Sequence, residues 1–276
     1  MPANPTDPRP GLDAIFFDID DTLFSTSEFA QKAREASVEA MIKVGLEVEK
    51  EVLLQELQEV VTEFTSNYDH HFDQLLRRIP KRYFKGVNPA IIIAAGVVAY
   101  HDTKIRELAP YPDAVRLLRQ LARVPELVRG IITSGLMIKQ AEKLVRLGVY
   151  DLLTPTAIFI SDQIGINKPN PKLYRRACSD LNLKPARCIY VGDRPRSDVD
   201  PPNALGMITV QLKRGGRHEK EEGKTKPSHE VRDFDELKGI LERDFALAIP
   251  GDDAPRSGTG GHEATPPGME ALQPSV

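Results

Sequence analysis

Short apolar segments alternate with helical segments throughout the second half of the chain, and this alternation restricts the fold more than any other feature of the sequence. Strands are predicted at 127–133, 157–161, 188–191 and 208–212, with a weaker one at 230–231. Helical periodicity lies between them at 113–122, 138–147 and 172–181. Strands that alternate with helices pair in parallel, and the helices pack on both faces of the sheet. We therefore expect an α/β fold with a Rossmann-like parallel sheet.

One more apolar run, at residues 14–17, precedes this alternation and passes directly into acidic residues, as a buried strand does when it ends in a polar loop. Helical periodicity then follows at 29–44, 53–64, 71–79 and 90–100. A helical block placed directly after the first strand indicates an insertion. We expect residues 12–23 and 110–248 to form the α/β core, and residues 24–109 to form an all-helical cap domain.

The two ends of the sequence have little to bury. Residues 1–11 are rich in proline, and residues 249–276 are rich in Gly, Pro, Ser and Thr. Segments of this composition cannot offset the entropy of ordering, so we expect both ends to be disordered. The function of the C-terminal tail stays open.

Charge and hydropathy narrow the classes of partner. The chain has 37 basic and 40 acidic residues, a formal net charge of −3, so we expect neither nucleic acid nor acidic lipid as a partner. The longest apolar run, residues 90–100, is far shorter than the roughly 20 residues of a membrane-spanning helix, and we expect a buried helix and no membrane partner. The start of the sequence lacks the pattern of a signal peptide, so we expect a cytoplasmic protein.

The first predicted strand ends in a group of acids. Sites in open α/β sheets form beyond the carboxyl ends of the strands. Asp18, Asp20 and Asp21 follow this strand, and three close carboxylates repel one another unless a cation lies among them. We therefore expect a bound divalent metal. Strand alternation would turn Asp21 away from the other two, which predicts a structural role for it.

Three further segments bring polar groups to the same edge. Thr133 and Ser134 follow a strand, beside a glycine that lets backbone N–H groups approach an anion. Lys168 precedes two prolines that stiffen the loop around its ammonium, and Asp193 and Asp198 form a second acidic pair after a later strand. Each segment alone also suits an ordinary strand-end loop, where such residues favour turns and helix caps.

Together, these segments supply what metal-assisted phosphoryl transfer needs. The reaction requires a nucleophile, a proton carrier and cations on the phosphoryl oxygens. Mg²⁺ is the hard, oxygen-seeking ion that an all-carboxylate site prefers, and the sequence has no histidine or cysteine cluster that would suit zinc better. We therefore predict Mg²⁺ as the cofactor.

The four segments resemble the four ordered motifs of the haloacid dehalogenase superfamily. The resemblance extends over about residues 13–210. The motifs are DIDDTL at 18–23, TSG at 133–135, Lys168 and GDRPRSD at 192–198. This resemblance implies a phosphatase of that superfamily, with a helical cap between the first two motifs.

The resemblance also implies a role for each residue. Asp18 would be the nucleophile that forms an aspartyl-phosphate. Asp20 would protonate the leaving oxygen and then activate water. The residues that bind the substrate would be Thr133, Ser134 and Lys168. The metal site would comprise Asp18, Asp20 through its backbone carbonyl, Asp193, and Asp198 as the residue that orients a ligand.

A helical cap favours a small-molecule phosphate ester as substrate, because a lid that closes over the strand ends must fit above the leaving group. The identity of the ester and the oligomeric state stay open. The basic run from Arg77 to Lys85 suits either a second anionic group of the substrate or a solvated helix face. His70 and His71 are adjacent and cannot both line one pocket, and Phe24 is a candidate contact for the leaving group.

Other functions are compatible with parts of this pattern. A phosphomutase of the same superfamily would share the four motifs and differ in retaining the phosphorylated intermediate. A non-catalytic phospho-accepting module also combines acids, a hydroxyl and a lysine on a parallel sheet, although a large helical insertion is unlike a compact module. A haloacid dehalogenase would lack the second acid, so Asp20 argues against it. A phosphatase is the function that we expect.

Overall fold

The computed structural model describes residues 11–65, 68–216 and 218–251, and within them six strands form one parallel sheet. The strands are β1 (Ala14–Phe17), β2 (Val128–Thr133), β3 (Ile158–Ile160), β4 (Cys188–Gly192), β5 (Ile208–Leu212) and β6 (His229–Val231). Their order across the sheet is β3-β2-β1-β4-β5-β6. Phe17, at the end of β1, lies beside Ile131 and Val191, so the carboxyl ends of β2, β1 and β4 adjoin.

A block of helices lies between β1 and the rest of the sheet. Its helices are α1 (Thr26–Lys43), α2 (Lys50–Phe64), α3 (His71–Arg78) and α4 (Pro89–Glu107). They pack around a hydrophobic cluster of their own, in which Met41, Leu57, Leu75 and Ile92 are buried. We refer to residues 26–107 as the helical insertion.

The longest apolar run of the sequence lies within α4, and the prediction that it forms a buried helix is wrong. Ile92 and Gly96 are buried, whereas Ile91 and Val98 are 55% and 57% exposed. A helix that packs on one side buries a single stripe of residues three or four apart. The stripe faces α1, because a Cβ on Gly96 would lie 3.0 Å from the Met41 sulfur. Among the described residues, no helix is long and apolar enough to span a membrane.

The remaining helices cover both faces of the sheet. They are α5 (Pro112–Leu121), α6 (Met137–Arg146), α7 (Ser161–Ile164), α8 (Pro171–Asp180), α9 (Asp200–Ala204) and α10 (Phe234–Phe245). Successive residues of β1 point to opposite faces. Ile15 packs with Leu117 of α5 and Leu237 of α10, and Phe16 packs in a second cluster with Leu173 of α8. The predicted Rossmann-like parallel sheet with helices on both faces is confirmed.

The helix α10 is not predicted from the sequence, although its buried Leu237 and Leu241 have helical spacing. The described chain continues beyond this helix, and Ile249 packs against the larger core cluster. Residues 1–10 and 252–276, most of the two ends for which disorder is predicted, lie outside the described residues.

Candidate active site

Three neighbouring strands deliver the predicted residues to one edge of the sheet. Asp18 directly follows β1 and donates its backbone N–H to the Val191 carbonyl at 2.9 Å. Thr133 is the last residue of β2, and Asp193 follows β4. The site therefore forms where parallel strands end, as expected for an open α/β sheet.

Lys168 reaches this edge from the loop between α7 and α8 and pairs with two acids. Its Nζ lies 2.9 Å from Asp18 Oδ1 and 2.8 Å from Asp198 Oδ1, and it donates to the Tyr190 hydroxyl at 2.6 Å. Burial would lower the pKa of Lys168, but the two carboxylates outweigh burial and raise this pKa. Lys168 is thus a fixed ammonium beside the Asp18 carboxylate.

Asp18, Asp193 and Asp198 form an acidic cluster, in which each contributes an oxygen that lies within 4.8 Å of the others. Burial, with the charges of Asp198 and Asp20, raises the pKa of Asp18 to about 6 although Lys168 opposes the shift. Burial and the charges of Asp198 and Asp18 raise the pKa of Asp193 to about 8. Asp193 Oδ2 is buried and has no hydrogen-bond partner among the described residues. An unpaired oxygen within a set of carboxylates fits a hard divalent cation.

Asp198 lies in a π-helical turn, Pro195–Val199, that folds back on the end of β4. Its Oδ1 pairs with Lys168, and its Oδ2 accepts the Arg194 N–H at 3.0 Å. A Cβ on Gly192 would lie 2.5 Å from Asp198 Cβ, so this close approach requires glycine. Both Asp198 oxygens have protein partners, which suits a residue that orients its neighbours.

The Asp20 side chain lies outside the acidic cluster, and the metal role implied for Asp20 is that of its backbone carbonyl alone. Lys143 Nζ is 2.6 Å and 2.7 Å from its two oxygens, Gln140 Nε2 donates to Oδ2 at 3.2 Å, and the Thr26 hydroxyl donates to Oδ1 at 3.1 Å. Burial would raise the pKa of Asp20, but Lys143 and these hydrogen bonds lower it. Asp20 is thus a carboxylate paired with a lysine of its own, distinct from the Asp18–Lys168 pair.

The two hydroxyls after β2 differ in their surroundings. Thr133 is 1% exposed, and its Oγ1 has no hydrogen-bond partner in the described part of the chain. Ser134 Oγ instead accepts the Lys168 N–H at 3.2 Å, and the Gly135 N–H donates to Ser161 Oγ at 3.0 Å. Thr133 Oγ1 is therefore unpaired within the described residues, whereas Ser134 supports the Lys168 loop.

Asp21 fastens the start of α1, but for a different reason from the one predicted. Because β1 ends at Phe17, strand alternation does not direct the Asp21 side chain. A φ of 52° instead puts Asp21 in a tight turn. Its Oδ1 accepts the Thr26 N–H at 2.8 Å, and the Thr26 hydroxyl accepts the Asp21 N–H at 3.2 Å.

The basic run of the helical insertion is partly neutralised within the insertion itself. Three glutamates of α2 lie 3.8, 3.8 and 2.6 Å from Arg78, namely Glu56, Glu59 and Glu63. His71 Nε2 lies 2.8 Å from the Thr65 carbonyl, and His70 lies 3.7 Å from Asp73. These contacts favour a solvated helix face over a substrate contact.

The sequence analysis does not predict four residues at the site: Thr26 on α1, Gln140 and Lys143 on α6, and Tyr190 on β4. α6 begins shortly after β2 ends, and residues three apart lie on the same face of a helix. The spacing of Gln140 and Lys143 could therefore have predicted that both lie near the carboxyl end of β2. Tyr190 donates its hydroxyl to the Ile132 carbonyl at 2.7 Å, but its position in an apolar strand gave no signal. Phe24, a predicted leaving-group contact, is buried, with its ring centroid 5.8 Å from Lys143 Nζ.

The chain is similar to haloacid dehalogenase-like hydrolases over residues 12–206. A Methanopyrus kandleri protein named glyceraldehyde 3-phosphate phosphatase is 45% identical over 74% of this chain and 85% of that protein. A Pyrococcus furiosus protein of the same name is 40% identical over 84% of this chain and 94% of that protein. The crystal structure of a HAD phosphatase from Thermococcus onnurineus is 22% identical, with a TM-score of 0.60 over 83% of this chain and 98% of that one. The chain therefore belongs to the haloacid dehalogenase-like hydrolases.

Proposed function

We propose that this chain is a phosphatase that hydrolyses a small phosphate monoester through an aspartyl-phosphate on Asp18. One observation carries the proposal: two of the three carboxylates after β1 pair with different lysines, Asp18 with Lys168 at 2.9 Å and Asp20 with Lys143 at 2.6 Å. This separation suits one acid as nucleophile and the other as proton carrier. The relatives named phosphatases support the same reaction.

In the first step, an Asp18 oxygen would attack phosphorus while the bond to the ester oxygen breaks. A carboxylate that approaches a phosphate dianion meets like charge, and the Lys168 ammonium beside Asp18 offsets this repulsion. The Thr133 hydroxyl would donate to a phosphoryl oxygen. Asp20 would transfer a proton to the departing alcohol from its protonated form, which is the minor form beside Lys143 because that lysine lowers the Asp20 pKa. In the second step, water would cleave the aspartyl-phosphate as Asp20 accepts its proton, which releases inorganic phosphate.

The acidic cluster fits Mg²⁺. Its donors are all oxygens, and Asp193 Oδ2 is buried without a hydrogen-bond partner in the described chain. Asp18 and Asp193 would hold the ion together with the Asp20 carbonyl, and Asp198 would orient a ligand. A bound Mg²⁺ would neutralise charge on the carboxylates and the phosphoryl group.

We infer a three-carbon phosphate such as glyceraldehyde 3-phosphate as the substrate. Two relatives named for this activity share 40–45% identity over most of their length. The helical insertion is also held against α6 by two ion pairs, Lys104 with Glu142 at 2.5 Å and Asp69 with Lys139 at 2.6 Å. An insertion in contact with the helix that begins beside the strand ends would restrict access to the site, which favours a small ester over a macromolecule.

Phosphate release from a panel of esters with Mg²⁺ tests the proposal. The panel would contain glyceraldehyde 3-phosphate, glycerol 3-phosphate, phosphoserine and a nucleoside monophosphate. We expect release from the three-carbon sugar phosphate, background rates for Asp18→Asn, and wild-type rates for Asp180→Asn, which changes an exposed carboxylate paired with Arg176 on α8.

Three outcomes would contradict this proposal. Equal release by Asp18→Asn and the wild type would remove Asp18 from the reaction. Rearranged ester without free phosphate would indicate a phosphomutase. Stable phosphorylation of Asp18 without turnover would indicate a phospho-accepting module.

A further inference from the structure

Lys143 is the second lysine at the site and lies outside the four motifs. Its Nζ is 2.6 Å from Asp20 Oδ1 and 2.7 Å from Oδ2, so one ammonium spans both carboxylate oxygens. The side chains of Lys143 and Asp20 are 20% and 26% exposed. This degree of burial separates the pair from the exposed ion pairs that contribute little to a structure.

The other contacts of the Asp20 carboxylate come from neutral groups. Gln140 Nε2 donates to Oδ2 at 3.2 Å, and the Thr26 hydroxyl donates to Oδ1 at 3.1 Å. Gln140 Nε2 also donates to the Ser134 carbonyl at 2.8 Å, so its amide is shared with the end of β2. Of these three side chains, Lys143 alone offers a charge and contacts both oxygens.

The position of Lys143 is set by α6, which is anchored at several points. The Met137 N–H at its first turn donates to Asp162 Oδ2 at 2.9 Å. Leu144, next to Lys143, is 2% exposed and packs in the larger core cluster. The Phe24 ring, also buried, lies 5.8 Å from Lys143 Nζ. Lys143 is therefore a charge on a rigid element, as positioning a catalytic group requires.

From this geometry we infer that Lys143 positions Asp20 for its work on the leaving group and on water, without touching the substrate itself. The inference rests on the proposed phosphatase function and adds a residue to it. Without the ammonium, the carboxylate would lose its two shortest contacts and keep only the hydrogen bonds from Gln140 at 3.2 Å and Thr26 at 3.1 Å, which hold it less firmly. A displacement of about 1 Å at a reacting group costs on the order of 100-fold in rate.

The inference predicts a loss that depends on the leaving group. An alkyl phosphate needs a proton on its departing oxygen, whereas an aryl phosphate with an acidic phenol needs little help. In Lys143→Met, kcat/KM should fall about 100-fold for the alkyl ester and less than about 10-fold for the aryl ester. The value of kcat/KM is the right measure because it includes the steps up to departure of the leaving group and excludes hydrolysis of the intermediate.

A double-mutant cycle is the test. We would measure kcat/KM for both esters with Mg²⁺ in the wild type, Lys143→Met, Asp20→Asn and the double variant. In the Asp20→Asn background, Lys143→Met should not lower kcat/KM any further, because Lys143 acts through the Asp20 carboxylate. Arg146→Met is the matched control: it removes a cation from the same helix, where Arg146 pairs with Glu142 at 2.8 Å, and should keep wild-type kcat/KM.

Two results would overturn the inference. An equal loss from Lys143→Met in both backgrounds would mean that Lys143 acts on the substrate directly. An unchanged ratio of alkyl to aryl kcat/KM would mean that it only supports the fold. If the Met variant does not fold, Lys143→Gln carries the same expectations. A folded wild type that hydrolyses neither ester nor any member of the panel would instead contradict the proposed function, and this inference with it.

Discussion

Replacing Asp193 by asparagine should stabilise the protein when no metal is bound. Asp193 is 9% exposed, and its Oδ2 has no hydrogen-bond partner among the described residues. Burial and the charges of Asp198 and Asp18 raise its pKa from 3.8 to about 8. A carboxyl group whose pKa is higher in the folded state favours folding when it is protonated, so stability falls as the pH rises from about 4 towards 8.

The size of the effect follows from the two pKa values. Each unit of difference is about 1.36 kcal/mol. At pH 7 and pH 5 Asp193 is ionised in the unfolded chain but protonated in the folded protein, so folding must take up a proton. The stability lost relative to low pH is about 4 kcal/mol at pH 7, which lies about 3 units above the unfolded pKa, and about 2 kcal/mol at pH 5. Asparagine has nearly the same shape as aspartate and carries no charge at any of these pH values. Asp193→Asn should therefore raise the free energy of unfolding by these amounts, and by almost nothing at pH 3.5.

Urea denaturation in EDTA, followed by circular dichroism at pH 3.5, 5 and 7, measures this difference. Asp180→Asn is the control, since it changes an exposed carboxylate paired with Arg176 and should shift the free energy of unfolding by less than about 0.5 kcal/mol. Added Mg²⁺ should reduce or reverse the difference in free energy of unfolding between the two proteins, because Mg²⁺ binding stabilises the wild type more than Asp193→Asn. An Asp193→Asn protein less stable than the wild type at pH 7 in EDTA would refute the reasoning.

Three more predictions concern the same site. Activity should vanish in excess EDTA and return with Mg²⁺, because the Lys168 ammonium cannot by itself offset the charges of Asp18, Asp198 and a phosphate dianion; full turnover after exhaustive metal removal would contradict this. Thr133→Ala and Lys168→Met should each lower kcat/KM by about 30- to 1000-fold, or about 2–4 kcal/mol of transition-state free energy, and wild-type values in folded variants would remove both residues from phosphoryl binding. Gly192→Ala should lower the free energy of unfolding by about 1–3 kcal/mol, because its Cβ would lie 2.5 Å from Asp198 Cβ; an unchanged melting temperature would count against that close approach.

The fold was predictable because its signals are local. Apolar runs that end in acids, hydroxyls or glycine mark both a strand and the edge at which it ends, so Asp18, Thr133 and Asp193 could be placed together before their distances were known. The partial exposure of α4 was not predictable in this way, because an apolar composition does not show which face of a helix packs against another element.

Part of the site depends on packing that spacing does not encode. Asp18 and Asp20 are two residues apart, and this spacing predicts that their side chains share one face. The strand instead ends at Phe17, and a turn with φ 52° at Asp21 changes the direction of the chain. Asp20 meets Lys143, which lies 123 positions later in the sequence. That contact depends on how α6 packs against the sheet, so it appears only in the folded structure.

Identification of the phosphorylated residue is the most direct test of the proposal that Asp18 is the nucleophile. Asp20→Asn with an aryl phosphate and Mg²⁺ should form the intermediate and resolve it slowly, because the base that activates water is gone. Rapid quench and peptide mass spectrometry with fragmentation should then show one added phosphoryl group on Asp18, and none in the double variant that also carries Asp18→Asn. A phosphoryl group on another residue, or turnover of the ester by Asp18→Asn at the wild-type rate, would contradict the account.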